Sequence, residues 1–397
     1  MRQAIRRPHC LRRGRIRLAL ALVAAAIIVG AVIGLIRKQP AGETPERPAP
    51  PEVAQVLPPP PRSAKSVTIC AAGDVMLDRS VWRMIKQHGV HHVMSEVRDT
   101  LRAADITFVN LECPLSTRQG HAQPGGSLQF CADPSTVQVL LDGGVDVVGV
   151  ANNHGLDAGT GGCYDTLATL EEHNIAYAGA RPKGVEPDDE PTYLTVDDTV
   201  VAFLAYDDLS FARTLCDVDQ DMGNALTQIK EARNNADVTC VSYHWGNEYQ
   251  KTPTRRQKQL AHASIDAGAD IVLGHHAHVM NGVEAYGGGL ILYSMGNFVF
   301  DQRDAPDGRM TSAIFSMDVT VGKGIDLTIS PVRISPQMRA PRTPTQERGT
   351  AILRGLAKLS ADLGVELTIE GQKARASFAT ETAIDTKDTT EIAAVAG

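Results

Sequence analysis

The chain has few cysteines, and none of them is arranged for metal binding or for thiol redox chemistry. Its seven cysteines are scattered over 397 residues without a Cys-x-x-Cys pair. This argues against a cysteine-cluster zinc site and a thioredoxin-like motif. The central part of the chain also lacks a Lys/Arg-rich patch, and the formal net charge is -7. A nucleic-acid partner is therefore not expected, because a phosphate backbone needs clustered positive charge.

Long apolar runs are also rare, and one lies near the N-terminus. Residues 18–36 carry no charged side chain. This uncharged run is about as long as a helix must be to cross a membrane. The preceding basic tail, residues 1–17, is rich in arginine, so the positive-inside rule puts the N-terminus in the cytoplasm. We expect a single-pass transmembrane anchor in the cell membrane with the main domain extracytoplasmic. A cleaved signal peptide is the alternative.

Composition divides the rest of the chain into three parts. Residues 37–65 are rich in proline and poor in large apolar side chains, which is typical of a semi-rigid linker. Residues 66–336 alternate strand-like apolar runs with helix-like segments, which predicts a layered α/β domain with a largely parallel sheet and an antiparallel portion at its C-terminal side. Residues 337–397 predict one helix, from Leu353 to Leu363, and a polar tail that we expect to be disordered.

Side chains of metal-ligand type follow almost every predicted strand. In α/β sheets a ligand lies outside the carboxyl ends of the strands, so these side chains are expected at one edge. The strand predicted from Val200 to Ala205 is the one that contributes none. Two carboxylates, one amide oxygen and three imidazoles form a mixed oxygen and nitrogen set, which suits one or two divalent ions of Mn, Fe or Zn. The predicted metal ligands are Asp74, Glu112, Asn153, His244, His276 and His278.

Neighbouring residues complete the predicted site. His154 follows the ligand Asn153 and is free to protonate a leaving group, so we predict it as the catalytic residue. Further residues of the same motifs are placed in the substrate pocket: Asn110, Asn152, Trp245, Glu248 and Asn297. Each residue alone has an ordinary alternative, such as a capped loop, a turn, a solvated side chain or core packing. Together they favour the metal site over a metal-free structural domain.

Six ordered motif blocks carry a family resemblance. They cover residues 73–77, 110–116, 151–154, 244–249, 274–279 and 293–300. These blocks resemble the CapA/PgsA family of poly-γ-glutamate capsule synthesis proteins, which is similar to the calcineurin-like metallophosphatases. The resemblance implies a four-layer α/β/β/α sandwich around a two-metal site, with the ligands named above and His154 as the acid.

Two positions depart from the pattern of the wider phosphatase superfamily. Met76 stands two residues after Asp74, where the superfamily has histidine, and Glu112 replaces an aspartate. Loss of an imidazole weakens one metal centre. One tightly held ion and two ions of weaker occupancy are therefore both consistent with the sequence.

The function predicted from these residues and this resemblance is capsule or poly-γ-glutamate biosynthesis. One version is a metal-dependent hydrolase that cleaves a phosphoester or an amide of the polymer. The alternative is a non-catalytic subunit that binds the anionic polymer and assists a membrane synthetase or exporter.

Cys113 and Cys131 bracket a Gly/Pro-rich loop. In an oxidising compartment they could close this loop as a disulfide, and the alternative is that both remain free thiols.

Overall fold

The computed structural model describes residues 65–118, 129–180, 190–209 and 222–379. The predicted basic tail, the predicted membrane span and all but the last residue of the predicted linker lie outside the described residues. The same holds for the predicted tail after residue 379. Within the described ranges, each helix is too short or too polar to span a lipid bilayer.

The described residues form strands and helices in alternation over most of the chain. The strands are β1 Ser66–Val75, β2 Ile106–Leu111, β3 Val147–Gly149, β4 Ala176–Ala178, β5 Thr192–Val196, β6 Thr199–Asp207, β7 Val238–His244, β8 Ile271–His275, β9 Val283–Tyr286, β10 Gly289–Leu292, β11 Asn297–Val299, β12 Thr311–Thr320, β13 Gly324–Ile334, β14 Pro341–Arg342, β15 Thr368–Glu370 and β16 Lys373–Ala379. The helices are α1 Arg79–His88, α2 His91–Met94, α3 Arg98–Leu101, α4 Val137–Gly143, α5 Gly159–Glu172, α6 Gly223–Asn235, α7 Arg255–Asp266 and α8 Gln346–Ala361.

The sequence from Val81 to Arg102 has the pattern of a single helix, but the structure divides it into three short helices, α1 to α3. The first of them, α1, ends at Gly89, which has a φ of 79° and donates its N–H to the carbonyl of Ile85. A left-handed backbone at this point costs glycine little and stops the helix. The sequence signal for the break was this single glycine.

The strands form two mixed sheets. The larger has the order β15-β16-β13-β12-β1-β2-β3-β4, with β11 beside β1 and β14 beside β13. Its strands from β1 to β4 are parallel, and those from β12 outward are antiparallel. The smaller sheet has the order β5-β6-β7-β8-β10-β9, with four parallel strands between antiparallel edges. The predicted mixture of parallel strands and a C-terminal antiparallel portion is thus observed.

The two sheets pack face to face, and helices cover their outer faces. Phe108 of β2 stacks on Phe203 of β6 with ring centroids 5.9 Å apart. Helices α6 and α7 pack on the smaller sheet through Ile229 and Leu260. Helices α1, α4 and α5 join the apolar cluster on the other face of the larger sheet, where Leu140 is fully buried. Burial of each such side chain contributes about 1.5–3 kcal/mol.

The folded part continues beyond the predicted boundary at residue 336. Helix α8 begins after Thr345, whose hydroxyl accepts the N–H of Arg348, and it includes most of the predicted helix. Strand β16 pairs with β13 from Gly324 opposite Ala379 to Ile329 opposite Ala374. The alternating charged residues of β16 hid this strand, because a strand of an antiparallel sheet with one solvated face buries every second residue only.

Candidate metal centre

The carboxyl ends of the parallel strands of both sheets meet at one edge. Asp74 lies in β1, Glu112 follows β2, and His244 ends β7. The N–H of Asp74 donates to the carbonyl of Gly296 at 3.0 Å. A Cβ at Gly73 would lie 1.8 Å from the Gly296 oxygen, so this close approach of two chain segments requires glycine.

Asp74 is an ionised carboxylate held by neighbouring donors. Its Oδ1 accepts from Asn110 Nδ2 at 2.9 Å and lies 2.9 Å from His275 Nδ1, while Oδ2 lies 3.6 Å from His278 Nδ1. Burial alone raises the pKa of Asp74. The hydrogen bond from His275 and the nearby imidazole of His278 outweigh burial and hold that pKa well below its usual range.

Glu112 lies at the centre of a ring of imidazoles. Its Oε1 is 3.8 Å from His244 Nε2, 3.9 Å from His154 Nε2 and 3.9 Å from His278 Nε2. Burial raises the pKa of Glu112 well above its ordinary value, and the charges of Asp74 and other nearby carboxylates raise it further. A carboxylate in this position needs a cation to stay ionised.

Two of the predicted histidine ligands have an unusual backbone. His276 has a φ of 81° and His278 a φ of 56°, in a region where a residue with a Cβ costs on the order of 1–3 kcal/mol. His278 is fixed from both sides, since its Nδ1 lies 2.9 Å from Asn297 Oδ1 and its carbonyl accepts from Asn297 Nδ2 at 3.1 Å. This leaves Nε2 of His278 facing Glu112, the arrangement that orients a histidine ligand.

The imidazoles of His244 and His276 are neutral. Burial lowers the pKa of His244 well below its ordinary value, and it lowers the pKa of His276 to about 3. The imidazole of His276, whose Nδ1 lies 3.2 Å from His244 Nε2, lowers the pKa of His244 further, and the imidazole of His278 lowers the pKa of His276, because two like charges would stand close together. Neutral imidazoles keep a lone pair, which is the form that binds metal.

The donor atoms fit a divalent cation. Four buried oxygens of the predicted ligands have no hydrogen-bond partner among the described residues: Asp74 Oδ2, both Glu112 oxygens and Asn153 Oδ1. Ligand atoms of Asp74, Glu112 and His244 lie within 4.8 Å of one another. Leaving such oxygens unpaired costs about 1–3 kcal/mol each, and more for a charged group. A bound divalent cation would remove this cost.

His154 lies beside this cluster and is held by a carboxylate. Its Nδ1 is 2.6 Å from Asp157 Oδ2, which also accepts the N–H of Phe130 at 2.7 Å. The Phe130 ring stacks on the imidazole at a centroid distance of 4.0 Å. Asp157 therefore fixes the ring so that Nε2 points toward Glu112.

Sequence reasoning missed three residues of this site. Asp157 is one, and its position three residues after His154 was the available signal. His275 is another, which the sequence shows only as part of the motif block 274–279. Asp207 is the third, because β6 continues past the predicted end at Ala205 and brings this fully buried carboxylate beside His244 in the sheet. Its charge contributes to the raised pKa of Glu112.

The structure corrects the predicted pocket role of Trp245. This side chain is fully buried and stacks on Tyr243 at a centroid distance of 4.8 Å, and its indole N–H donates to the carbonyl of Tyr293 at 2.9 Å. Both the apolar ring and its polar atom are satisfied within the core, so Trp245 packs in the interior and does not form a pocket wall.

The other predicted pocket residues divide into buried positioning groups and one exposed charge. Asn110 accepts from Asn152 Nδ2 at 3.1 Å, and Asn152 also donates to the carbonyl of Leu111 at 3.0 Å. Together with Asn297 they hold the ligand-bearing segments in register. Glu248 is exposed in the segment after β7, and its negative charge helps to raise the pKa of Glu112.

Three sulfur atoms near the site are engaged in local contacts. Met76 is fully buried and its Sδ accepts the N–H of Asp78 at 3.2 Å, so it supplies no ligand in place of the missing histidine. Cys113 and Cys131 are free thiols. The Sγ of Cys113 accepts from Leu77 at 3.3 Å, and the Sγ of Cys131 donates to the carbonyl of Arg118 at 2.8 Å.

Comparison with known proteins agrees with the motif blocks. The family model described as bacterial capsule synthesis protein PGA_cap matches residues 68–302, which is more than half of the chain. The chain belongs to this family. It is 36% identical over 236 residues to the PGA biosynthesis protein CapA of Bacillus subtilis (strain 168), a match that covers 58% of this chain and 62% of that protein. It is 33% identical over 253 residues to the capsule biosynthesis protein CapA of Bacillus anthracis, covering 61% of each.

The matches cover part of the length of the relatives, and the similarity to solved structures is low. The chain spans about three fifths of the length of the two Bacillus relatives. Among solved structures it is similar to one described as a novel phosphatase of Mycoplasma pneumoniae, with 12% identity and a TM-score of 0.40 over 80% of this chain and 96% of that one. A likeness of that size says nothing about activity.

Proposed function

We propose that this protein acts in the biosynthesis of a cell-surface polymer, poly-γ-glutamate, and that its buried carboxylate and histidine cluster is a metal-dependent hydrolase site. The names of the two Bacillus relatives support the biological role. The observation that carries the chemistry is Glu112, a fully buried carboxylate surrounded by imidazoles, with neither oxygen hydrogen-bonded within the described ranges.

The metal in this proposal is one or two divalent ions of Mn, Fe or Zn. The residues that would hold it are Asp74, Glu112, Asn153, His244, His276 and His278. A bound divalent ion supplies Lewis acidity at a phosphoryl or acyl oxygen and makes water more acidic. The α/β/β/α order of the sheets and helices is the one that the resemblance to calcineurin-like metallophosphatases implies.

The residues of the chain itself supply the proton transfer. His154 is positioned to give a proton from Nε2 to the departing alkoxide or amine, and Asp157 holds the opposite nitrogen and stabilises the charged imidazole. The bond cleaved is a phosphoester or an amide of the polymer. The stacked Phe130 ring keeps water from one face of His154.

A non-catalytic polymer-binding subunit is the second candidate. Met76 favours this candidate. Its thioether sulfur accepts the N–H of Asp78, and the metal centre lacks the imidazole that a histidine at position 76 would supply. In this version the cluster holds metal and an anionic chain, and a membrane synthetase or exporter carries out the chemistry. The proposed transmembrane anchor, with the main domain outside the membrane, suits both versions.

Metal analysis of the full-length protein in detergent tests the proposal first. We expect near-stoichiometric metal in the wild type and its loss in an Asp74→Ala, His276→Ala double variant. Absence of metal after supplementation with Mn, Fe and Zn would refute the hydrolase site.

Substitution of His154 separates the two versions. The metal-loaded protein is assayed on a γ-linked oligoglutamate and on a phosphoester. A hydrolase should lose about 10²–10⁴-fold in rate in His154→Ala while it keeps its metal. No turnover by the wild type, with metal and polymer binding intact in both proteins, would establish the binding subunit.

A further inference from the structure

A cavity lies beside the metal centre and takes no part in holding metal. Its volume is about 650 Å³, within the range of pockets that bind small organic ligands. Val279 and Met280, which line it, directly follow the predicted ligand His278. The cavity therefore begins where the metal-binding segment ends.

The two walls of this cavity have different origins. One wall includes Lys251, Val279 and Met280, within residues 68–302 that match the family model. Another part of the lining is one face of helix α8, which lies after residue 302. What the cavity binds is therefore determined in part by a helix outside the family match.

The lining combines an aliphatic surface with positive charge. Ile352 and Leu356 of α8 line the cavity together with Val279 and Met280. Three cations stand around this surface, and within the described ranges none of them forms an ion pair: Lys251, Arg348 and Lys358. Such a lining suits a ligand with carboxylates spaced by short methylene segments.

The acidic residues of the lining do not cancel this charge. Asp307 forms an ion pair with Arg309, whose Nε donates to Asp307 Oδ2 at 2.9 Å, and the charge of Lys251 also acts on Asp307. Asp362 is the other acid of the lining. The three cations therefore face one carboxylate that has no ion-pair partner in the described part of the chain, which leaves an excess of positive charge.

A cationic and aromatic surface connects the cavity to the metal centre. The guanidinium of Arg309 lies 4.1 Å from the centroid of the Tyr249 ring, and that ring lies 6.1 Å from the ring of His278. Gly308, the neighbour of Arg309, lines the cavity. A chain that lies in the cavity can thus continue toward His278 along one surface.

We propose that this cavity is a subsite for an anionic oligomer with short aliphatic spacers, such as a γ-linked glutamate chain, and that it positions the next unit at the metal centre. This inference rests on the proposed function. The ligand's carboxylates pair with Lys251, Arg348 and Lys358, and its methylenes pack on Ile352 and Leu356.

Gly355 offers a way to block the cavity without disturbing the fold. It lines the cavity in the middle of the α8 face, and a Cβ added there meets no atom within 4 Å. Gly355→Leu adds bulk to this open space, and leucine also favours the helix more than glycine does. Arg354→Leu is the matched control, because Arg354 is exposed on the same helix and does not line the cavity.

Charge removal gives a second and independent perturbation. The double variant Arg348→Gln, Lys358→Gln removes two of the three cations from the cavity, and Arg354→Gln removes one cation from elsewhere on α8. The full-length, metal-loaded protein is titrated with γ-linked hexaglutamate by calorimetry in low and high salt. Thermal unfolding of every variant verifies the fold.

We expect Gly355→Leu to weaken binding about tenfold or more by steric exclusion. The double charge variant should lose about 3- to 20-fold at low salt and less at high salt. Both Arg354 variants should stay within about twofold of the wild type. Binding by the wild type that neither perturbation of the cavity alters would overturn the subsite and leave the proposed function standing. No binding of hexaglutamate by the wild type would overturn the subsite together with the polymer substrate.

Discussion

Replacement of Glu112 by glutamine is expected to change stability in opposite directions with and without metal. Without metal, the carboxyl is buried beside Asp74 and lacks a hydrogen bond within the described ranges, which raises its pKa well above the ordinary value. Glutamine has nearly the same shape and no charge, so the metal-free variant avoids this cost. With metal, the variant lacks the central carboxylate ligand.

The size of the effect follows from the cost of keeping this carboxyl neutral. Protonating a carboxyl with an ordinary pKa of 4.5 at pH 7 costs about 3 kcal/mol, at about 1.4 kcal/mol per pH unit. Glu112→Gln should therefore raise the free energy of unfolding of the metal-free protein by up to about 3 kcal/mol. Metal at a hundredfold excess over its Kd stabilises the wild type by about 2.7 kcal/mol, and the variant should lose most of that gain.

Urea denaturation with chelator and with saturating metal measures both effects. Glu172→Gln is the control, since Glu172 is exposed on α5, and it should change neither free energy by more than about 0.5 kcal/mol. A metal-free Glu112→Gln variant that is less stable than the wild type would refute the electrostatic reasoning. Equal stabilisation of both proteins by metal would refute the role of Glu112 as a ligand.

Three further predictions concern the histidines and their surroundings. Between pH 6.5 and about 3 the unfolded chain binds a proton at His276 that the folded state does not. The metal-free protein should therefore lose about 1.4 kcal/mol per pH unit at His276 as the pH falls, and His244 should add to this loss, whereas the raised pKa of Glu112 opposes it. Denaturation of the metal-free Glu112→Gln variant from pH 7 to 5 removes the opposing contribution and measures the loss, and a flat profile of this variant would contradict it. Asp157→Asn should lower kcat about 10- to 100-fold with KM and metal content unchanged, because it releases the ring of His154. A kcat equal to that of the wild type would refute the role of Asp157 in orienting His154. Trp245→Phe should cost about 1–3 kcal/mol in unfolding while metal content stays the same, and a loss of metal would instead place this residue at the site.

The part of the site that the sequence predicted is the part carried by strand ends. Asp74, Glu112 and His244 each follow an apolar run, and parallel strands bring their carboxyl ends to one edge. The strand-end rule predicts these residues together, although up to 170 residues separate them (His244 less Asp74). The same rule applies to Asp207, but the apolar run that predicts this strand stops at Ala205, before Tyr206 and Asp207.

What the sequence could not show is which polar side chains hold others in place. Asn110 and Asn297 have the composition of pocket residues, and only their hydrogen bonds reveal them as supports for Asp74 and His278. Trp245 lies next to a ligand, yet the direction of its side chain depends on the pleat of β7, where neighbours point to opposite faces. Side-chain direction at a strand end is a tertiary property.

Strand β1, which carries Asp74, pairs along one side with a strand that lies after the residues matching the family model. Strand β1 pairs with β2 on one side and, from Ser66 to Ala71, with β12 on the other, and β12 begins only at Thr311. A protein shortened to residues 68–302 would turn this central strand into an edge with open backbone groups, which invites aggregation. The folded domain is therefore longer than the segment that matches the family model, residues 68–302. Truncated versions of this protein should extend to Ala379.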